Sequence, residues 1–160
     1  MRDALFPFFQ WSEATGAAGF LRTSIWAFPF VQAVHLLSLC VLAGAILVVD
    51  LRLLGAGIKH QPIPNVIRHA RPWLVAGLLL MIITGYLMFS ANAAARYFIN
   101  DSFWVKMTTL PLAIVFTFGT RETLVRRDRI ETSLRTRLAG AVSIMLWFTV
   151  AAAGRWIGFS

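Results

Sequence analysis

Three histidines, one cysteine and a few charges set in apolar sequence are the residues with chemistry to offer. His35 comes first. It stands about ten residues into a long apolar run, ~15 Å along a helix axis at 1.5 Å per residue. An ionisable group at that depth in a bilayer is costly, so it marks a site by default. Gln32 lies three residues before it and Leu39 four after. Phe28, Gln32, His35, Leu39, Leu42 and Ile46 therefore form one helical stripe, expected to face the bundle interior. A neutral imidazole ligates haem iron or copper. The plainer role is a hydrogen bond to a neighbouring helix. The residues alone leave both open.

A second ligand is harder to find. His60 and His69 lie toward the opposite end of the apolar runs, roughly 20 Å from His35 along the axis, too far to share one iron. Antiparallel counting puts Leu87 or Met88 level with His35 on the second apolar segment. Lys106, near one end of the third, has a stem long enough to reach the same layer. Met145 and Trp147 fall near that level on the fourth. His/Met, His/Lys and five-coordinate His sites all remain open. Lys106 and Arg155 sit at the membrane edge. Snorkelling to headgroups is their plain role, and binding propionates or quinone oxygens, or pairing with Glu13 or Asp101, is the alternative. Asp50, in DLRLLG, is expected to cap the first helix or pair with Arg71. Cys40 has no disulfide partner and reads as a small buried hydrophobe.

The elements that must position these residues are membrane helices. Hydrophobic residues make up 58% of the 160 and charged residues 14%. An average soluble chain carries about 25% charged residues. The charges also cluster between apolar runs, as a bilayer selects. The net charge of +8 would suit nucleic acid, but the excess lies in two loops flanking apolar segments, so no nucleic-acid partner is expected. Four spans are predicted, at about 25–50, 66–90, 103–120 and 137–155, in a single domain covering 1–160. Pro64 and Asn65 signal a helix start ahead of the second. The runs do not alternate in polarity, which excludes a barrel. Residues 5–22 mix Phe6, Phe8, Phe9, Trp11 and Phe20 with Gln10, Ser12 and Glu13, and read as an interfacial segment rather than a cleavable signal. The fold class is all-α: an integral membrane four-helix bundle with an N-terminal interfacial segment.

Arg52, Lys59, Arg68 and Arg71 lie between the first and second spans. Arg121, Arg126, Arg127, Arg129, Arg135 and Arg137 lie between the third and fourth. The other side carries Arg2, Arg22, Arg96, Lys106 and Arg155. Ten basic residues against five put the loops in the cytoplasm and both termini outside, in the periplasm. Trp26, Trp104 and Trp156 then form an outer aromatic belt, with Trp73 in the inner one. The 121–137 stretch is expected to be a solvated helical extension near anionic lipid, with docking of a cytoplasmic partner as the alternative. Recurrent Gly and Ala (Gly44, Gly77, Gly85, Gly140 and the 151–154 run) favour close helix approach, hence a homo-oligomer or a complex with other membrane subunits.

FPFVQAVHLLSLCVLAGAILVVDLRLLG from Phe28, PW at Pro72, TG at Thr84, FWVK at Phe103 and AGRWIGF near the end resemble an uncharacterised family of small bacterial four-helix membrane proteins. A first-helix His, a TG in the second and an aromatic-x-Lys in the third more distantly resemble two further groups. These are the four-helix membrane protoporphyrinogen oxidase, which binds haem b, and copper-resistance D-type membrane proteins. That resemblance implies a haem b site at His35, with Lys106 the other position carried over.

The expectation is a bacterial inner-membrane bundle that holds haem b on His35, with Gln32, Met88, Lys106 and Arg155 around it. It would pass electrons between the quinone pool and a periplasmic or membrane partner, as a redox subunit more than a complete enzyme. A non-catalytic scaffold subunit is the rival. Copper handling is disfavoured, because one Cys and three scattered His make a poor soft-ligand set.

Overall fold

In the computed structural model, residues 3–58, 60–121 and 133–159 are described, apart from the side chains of residues 3, 95, 120 and 121. The expected 121–137 helical extension lies largely outside them. No strand occurs among the described residues.

A single 3-10 turn, Asp3–Leu5, leads into α1 (Phe6–Glu13) and α2 (Gly16–Thr23). Thr15 caps α2 by accepting from the Ala18 N–H at 3.4 Å. Four long helices follow: α3 (Ala27–Leu54), α4 (Ile63–Ala91), α5 (Asp101–Val115) and α6 (Leu134–Trp156). A π-helical turn over Phe116–Arg121 continues α5, and another over Ala93–Tyr97 follows α4. All four long helices, α5 with its continuation to Gly119, are apolar and long enough to cross a bilayer. Their spans match the expected ones to within a few residues, and α4 does start early, at Ile63 beside Pro64. Pro72 and Pro111 stand inside α4 and α5, a tolerance typical of helices whose neighbours re-satisfy the freed carbonyls.

Chain punctuation is local. Gly55 ends α3 in the left-handed conformation, φ 79°, and the Ala56 and Gly57 N–H groups return to the Leu51 carbonyl, a glycine-dependent helix end. Arg52 is buried and its Nε donates to the Gln61 carbonyl at 2.9 Å, which fastens the α3–α4 connection. Asn100 caps α5 and Ser133 caps α6.

α3 packs along both α4 and α6, and α6 along α5, while no comparable interface joins α4 to α5. The bundle order is thus α4–α3–α6–α5. Two glycines set its tightest contacts. A Cβ on Gly77 would lie 3.0–3.2 Å from Leu42, backbone included, and one on Gly140 would lie 3.0 Å from the Asp50 carbonyl oxygen and Leu53 Cβ. Leu42, Ala45, Ile46, Leu74 and Leu78 form the mid-bundle core, with Ile114, Phe118 and Trp147 against it. Trp147 Nε1–H donates to Thr117 Oγ at 2.9 Å, tying α6 to the end of α5.

With four spans, both termini share one face, here the terminal face; the 55–62 connection lies on the other, the loop face. At the terminal face α1 and α2 fold onto the bundle. Glu13 accepts from the Ala94 N–H, while Arg22 donates to the Ala91 carbonyl and stands 3.7 Å from Glu13. Phe9 is buried among Phe89, Phe98, Phe103 and Trp104. Phe8, Trp11 and Phe20 remain exposed on the same short helices.

Candidate functional site

His35 is half-buried in the terminal half of α3, and its Nδ1 lies 2.8 Å from Thr84 Oγ on α4. The Thr84 hydroxyl is buried and 2.6 Å from the Leu80 carbonyl of its own helix. A carbonyl only accepts, so the single hydroxyl hydrogen goes to Leu80. Thr84 Oγ is then left to accept, and His35 Nδ1 must be the N–H donor. In the neutral ring this fixes the tautomer and gives Nε2 the lone pair. No described residue engages that nitrogen.

Around this relay the other helices supply space and charge. Gly85 fronts the ring: a Cβ there would stand 3.3 Å from His35 Cε1. On α5, Lys106 is partly buried, and its stem lies flat against α6, where a Gly154 Cβ would meet Nζ at 3.4 Å and Cε at 3.7 Å. The Lys106 charge is within electrostatic reach of His35. Among the described residues no carboxylate pairs with it. One layer thus draws His35 from α3, Thr84 and Gly85 from α4, Lys106 from α5 and Gly154 from α6.

Several expectations change here. The α3–α4 register pairs His35 with Thr84 and Leu42 with Gly77, so Leu87 and Met88 are not level with His35. Leu87 lies beside Phe30 and Val31 in a terminal-face groove. Half-buried Met88 sits one turn, ~6 Å, nearer that face than Thr84. Counting from the sequence misplaced the register because the close Gly77–Leu42 contact, not the loop length, sets it. Gln32 is exposed; the stripe through His35 is fully buried only from Leu42 and Ile46 onward. Arg155 is exposed and lies 4.7 Å over the Phe159 ring. Glu13 is taken by Arg22 and Ala94, so it is no partner of Lys106 or Arg155. Cys40 is exposed, not buried: it lines an open groove along the α3–α4 seam. Asp50 is fully buried near the loop face, against Gly140. Trp26 and Trp156 are exposed at helix ends and Trp73 is exposed ten residues into α4, whereas Trp104 is half-buried with Nε1–H donating to the Phe98 carbonyl.

Thr84 is the functional candidate that residue-by-residue reading missed. A threonine in an apolar helix is common, and only its pairing with His35 across 49 positions gives it a role. The TG pair was the available signal. Above the layer, the Phe9–Phe89–Phe103 aromatic cap shields it from the terminal face. Burial there pushes the Tyr97 phenol up from its ordinary value, against the opposing Arg96 charge. Among the described residues no group of three or more His, Cys, Asp or Glu converges.

Four apolar spans around one polar layer define a small helical membrane protein. Within that class the chain belongs to the family of unknown function DUF6644, which it matches over residues 8–160. Neither the curated proteins nor the solved structures hold a match to it.

Proposed function

We propose that this protein is a haem b-binding electron-transfer subunit of the bacterial inner membrane, in which His35 would hold the haem. One observation carries the reading: the Leu80–Thr84–His35 relay makes Nδ1 the donor, so that the neutral ring keeps its lone pair on Nε2. Ligating histidines characteristically donate their other ring N–H to a fixed oxygen, which sets tautomer and orientation. The donor chemistry therefore fits haem. Gly85 adds to the fit, since a side chain there would crowd the imidazole. When bound, the haem would supply one-electron chemistry. This chain's residues would hold and tune it. His35 gives one nitrogen, Thr84 keeps it aimed, and Lys106 places a cation where a propionate or a quinone oxygen would be neutralised. Phe and Leu side chains keep the layer dry.

The electrons would run between the quinone pool and a periplasmic or membrane partner. The ten-to-five basic asymmetry supports periplasmic termini. The rival is a scaffold subunit in which His35–Thr84 is only an interhelical hydrogen bond. A reduced-minus-oxidised spectrum of protein made under haem-replete conditions separates the two. A Soret band in the wild type that is lost in His35→Ala is expected. No haem in the wild type would leave the scaffold reading standing, and an unchanged band in His35→Ala would move the ligand elsewhere, His69 first.

A further inference from the structure

Toward the loop face the α3–α4 seam opens into a groove of about 660 Å3, on the loop side of the His35 layer. Gly44 and Val48 of α3 form its floor, and Gln61, Asn65, His69 and Trp73 its other wall. The floor is open at Gly44, where an added Cβ would meet no atom within 4 Å. Between Cys40 and the connection it runs ~20 Å along α3, enough to cross one leaflet of a ~30 Å hydrocarbon core. Its polar groups gather at one end. There the His69 Nδ1–H donates to the Asn65 carbonyl at 2.7 Å, so the other ring nitrogen, engaged by no described residue, is left for a ligand. Trp73, one turn further along α4, is 61% exposed, the position of an interfacial anchor.

Charge decides the occupant. No acidic residue, lysine or arginine lines the groove itself, so the nearest charges outside it matter. Exposed Arg68 and Arg71 flank His69 in sequence, and the chain carries +8. A polar end on an apolar trough, with exposed arginines next to it on α4, suits an amphiphile with an anionic head. We infer that this groove holds one anionic phospholipid, its phosphate at Asn65, His69 and Arg68 and an acyl chain along Gly44 and Val48. A zwitterionic lipid or a neutral quinone offers the cations no net charge. Cationic pockets beside membrane helices recognise anionic headgroups on these terms.

The test is lipid retention. The full chain is reconstituted in vesicles of equal phosphatidylglycerol and phosphatidylcholine, extracted in mild detergent and weighed by native mass spectrometry. One retained phosphatidylglycerol per chain is expected. Arg68→Gln should lower its preference over phosphatidylcholine about fivefold, as for one basic residue at an anionic surface. Gly44→Trp fills the trough and should abolish retention, while Val115→Trp on exposed α5 surface should not. Circular dichroism checks that Gly44→Trp folds; if it does not, Arg68→Gln alone decides. Equal retention of the two lipids, indifference to both groove variants, or a quinone-mass adduct in place of phospholipid would overturn the assignment.

Discussion

At the scale of residues, one hydroxyl decides what His35 presents. The Thr84 O–H is committed to the Leu80 carbonyl, so the imidazole N–H is committed to Thr84. Removing the hydroxyl frees the ring to take the other tautomer. Thr84→Val keeps shape and loses the relay; haem affinity, read by titration into apo-protein, should fall about 10- to 100-fold. Thr84→Ser restores the oxygen and should recover most of it. If Val and Ser behave alike, the hydroxyl does not orient the ligand. Lys106 makes a second case. Its stem rests on Gly154, where a methyl would stand in ordinary van der Waals contact with it. Gly154→Ala should therefore leave both thermal stability and the midpoint potential of the proposed haem nearly unchanged, whereas Lys106→Met should shift the potential. A potential that does not respond to Lys106→Met would show that this cation does not tune the site.

At the scale of elements, the helices are fastened where backbones come closest. Gly77 meets Leu42 backbone atoms, and Gly140 meets the Asp50 carbonyl; neither neighbour can step aside as a side-chain tip can. Gly77→Ala and Gly140→Ala should each destabilise by about 1–3 kcal/mol, the range for overpacking. Gly44→Ala faces open space and should be neutral or up to ~1 kcal/mol stabilising, through helix propensity. Thermal unfolding in detergent checks this ordering, and a Gly77→Ala variant as stable as Gly44→Ala would contradict the close contact. The small residues in the sequence thus divide three ways. Gly77 and Gly140 serve internal packing, Gly85 and Gly154 make room for His35 and Lys106, and Gly44 faces outward.

At the scale of the molecule, four spans put both termini on one side, which the proposed orientation makes the periplasm. A fluorescent reporter that matures only in the cytoplasm, fused after Ser160, should stay dark; a bright fusion would reverse the orientation and place the His35 layer in the cytoplasmic half. The bundle is also thin. Large side chains such as Leu37, Leu79, Leu112 and Phe148 are exposed, so most of each span meets lipid or another chain. Native mass spectrometry in mild detergent should detect an oligomer or a co-purifying subunit, and a monomer at every concentration would count against that part of the reading.

Composition and hydropathy alone settled the all-α membrane class and four spans, because a bilayer admits few alternatives to long apolar helices. They also marked His35, since a polar group in such a run stands out against its neighbours. The α5 extension and the early start of α4 were legible in apolar length and in Pro64. Register was not: which residue of α4 meets His35 depends on a glycine contact two turns away. Nor was facing legible along a helix apolar on every side, where periodicity carries no signal: Gln32 and Cys40 are exposed although the pattern points them inward. Only tertiary packing could pair Thr84 with His35, give Glu13 to Arg22 and the Ala94 N–H, and lay Lys106 on Gly154, because each depends on how separate helices dock and not on local sequence.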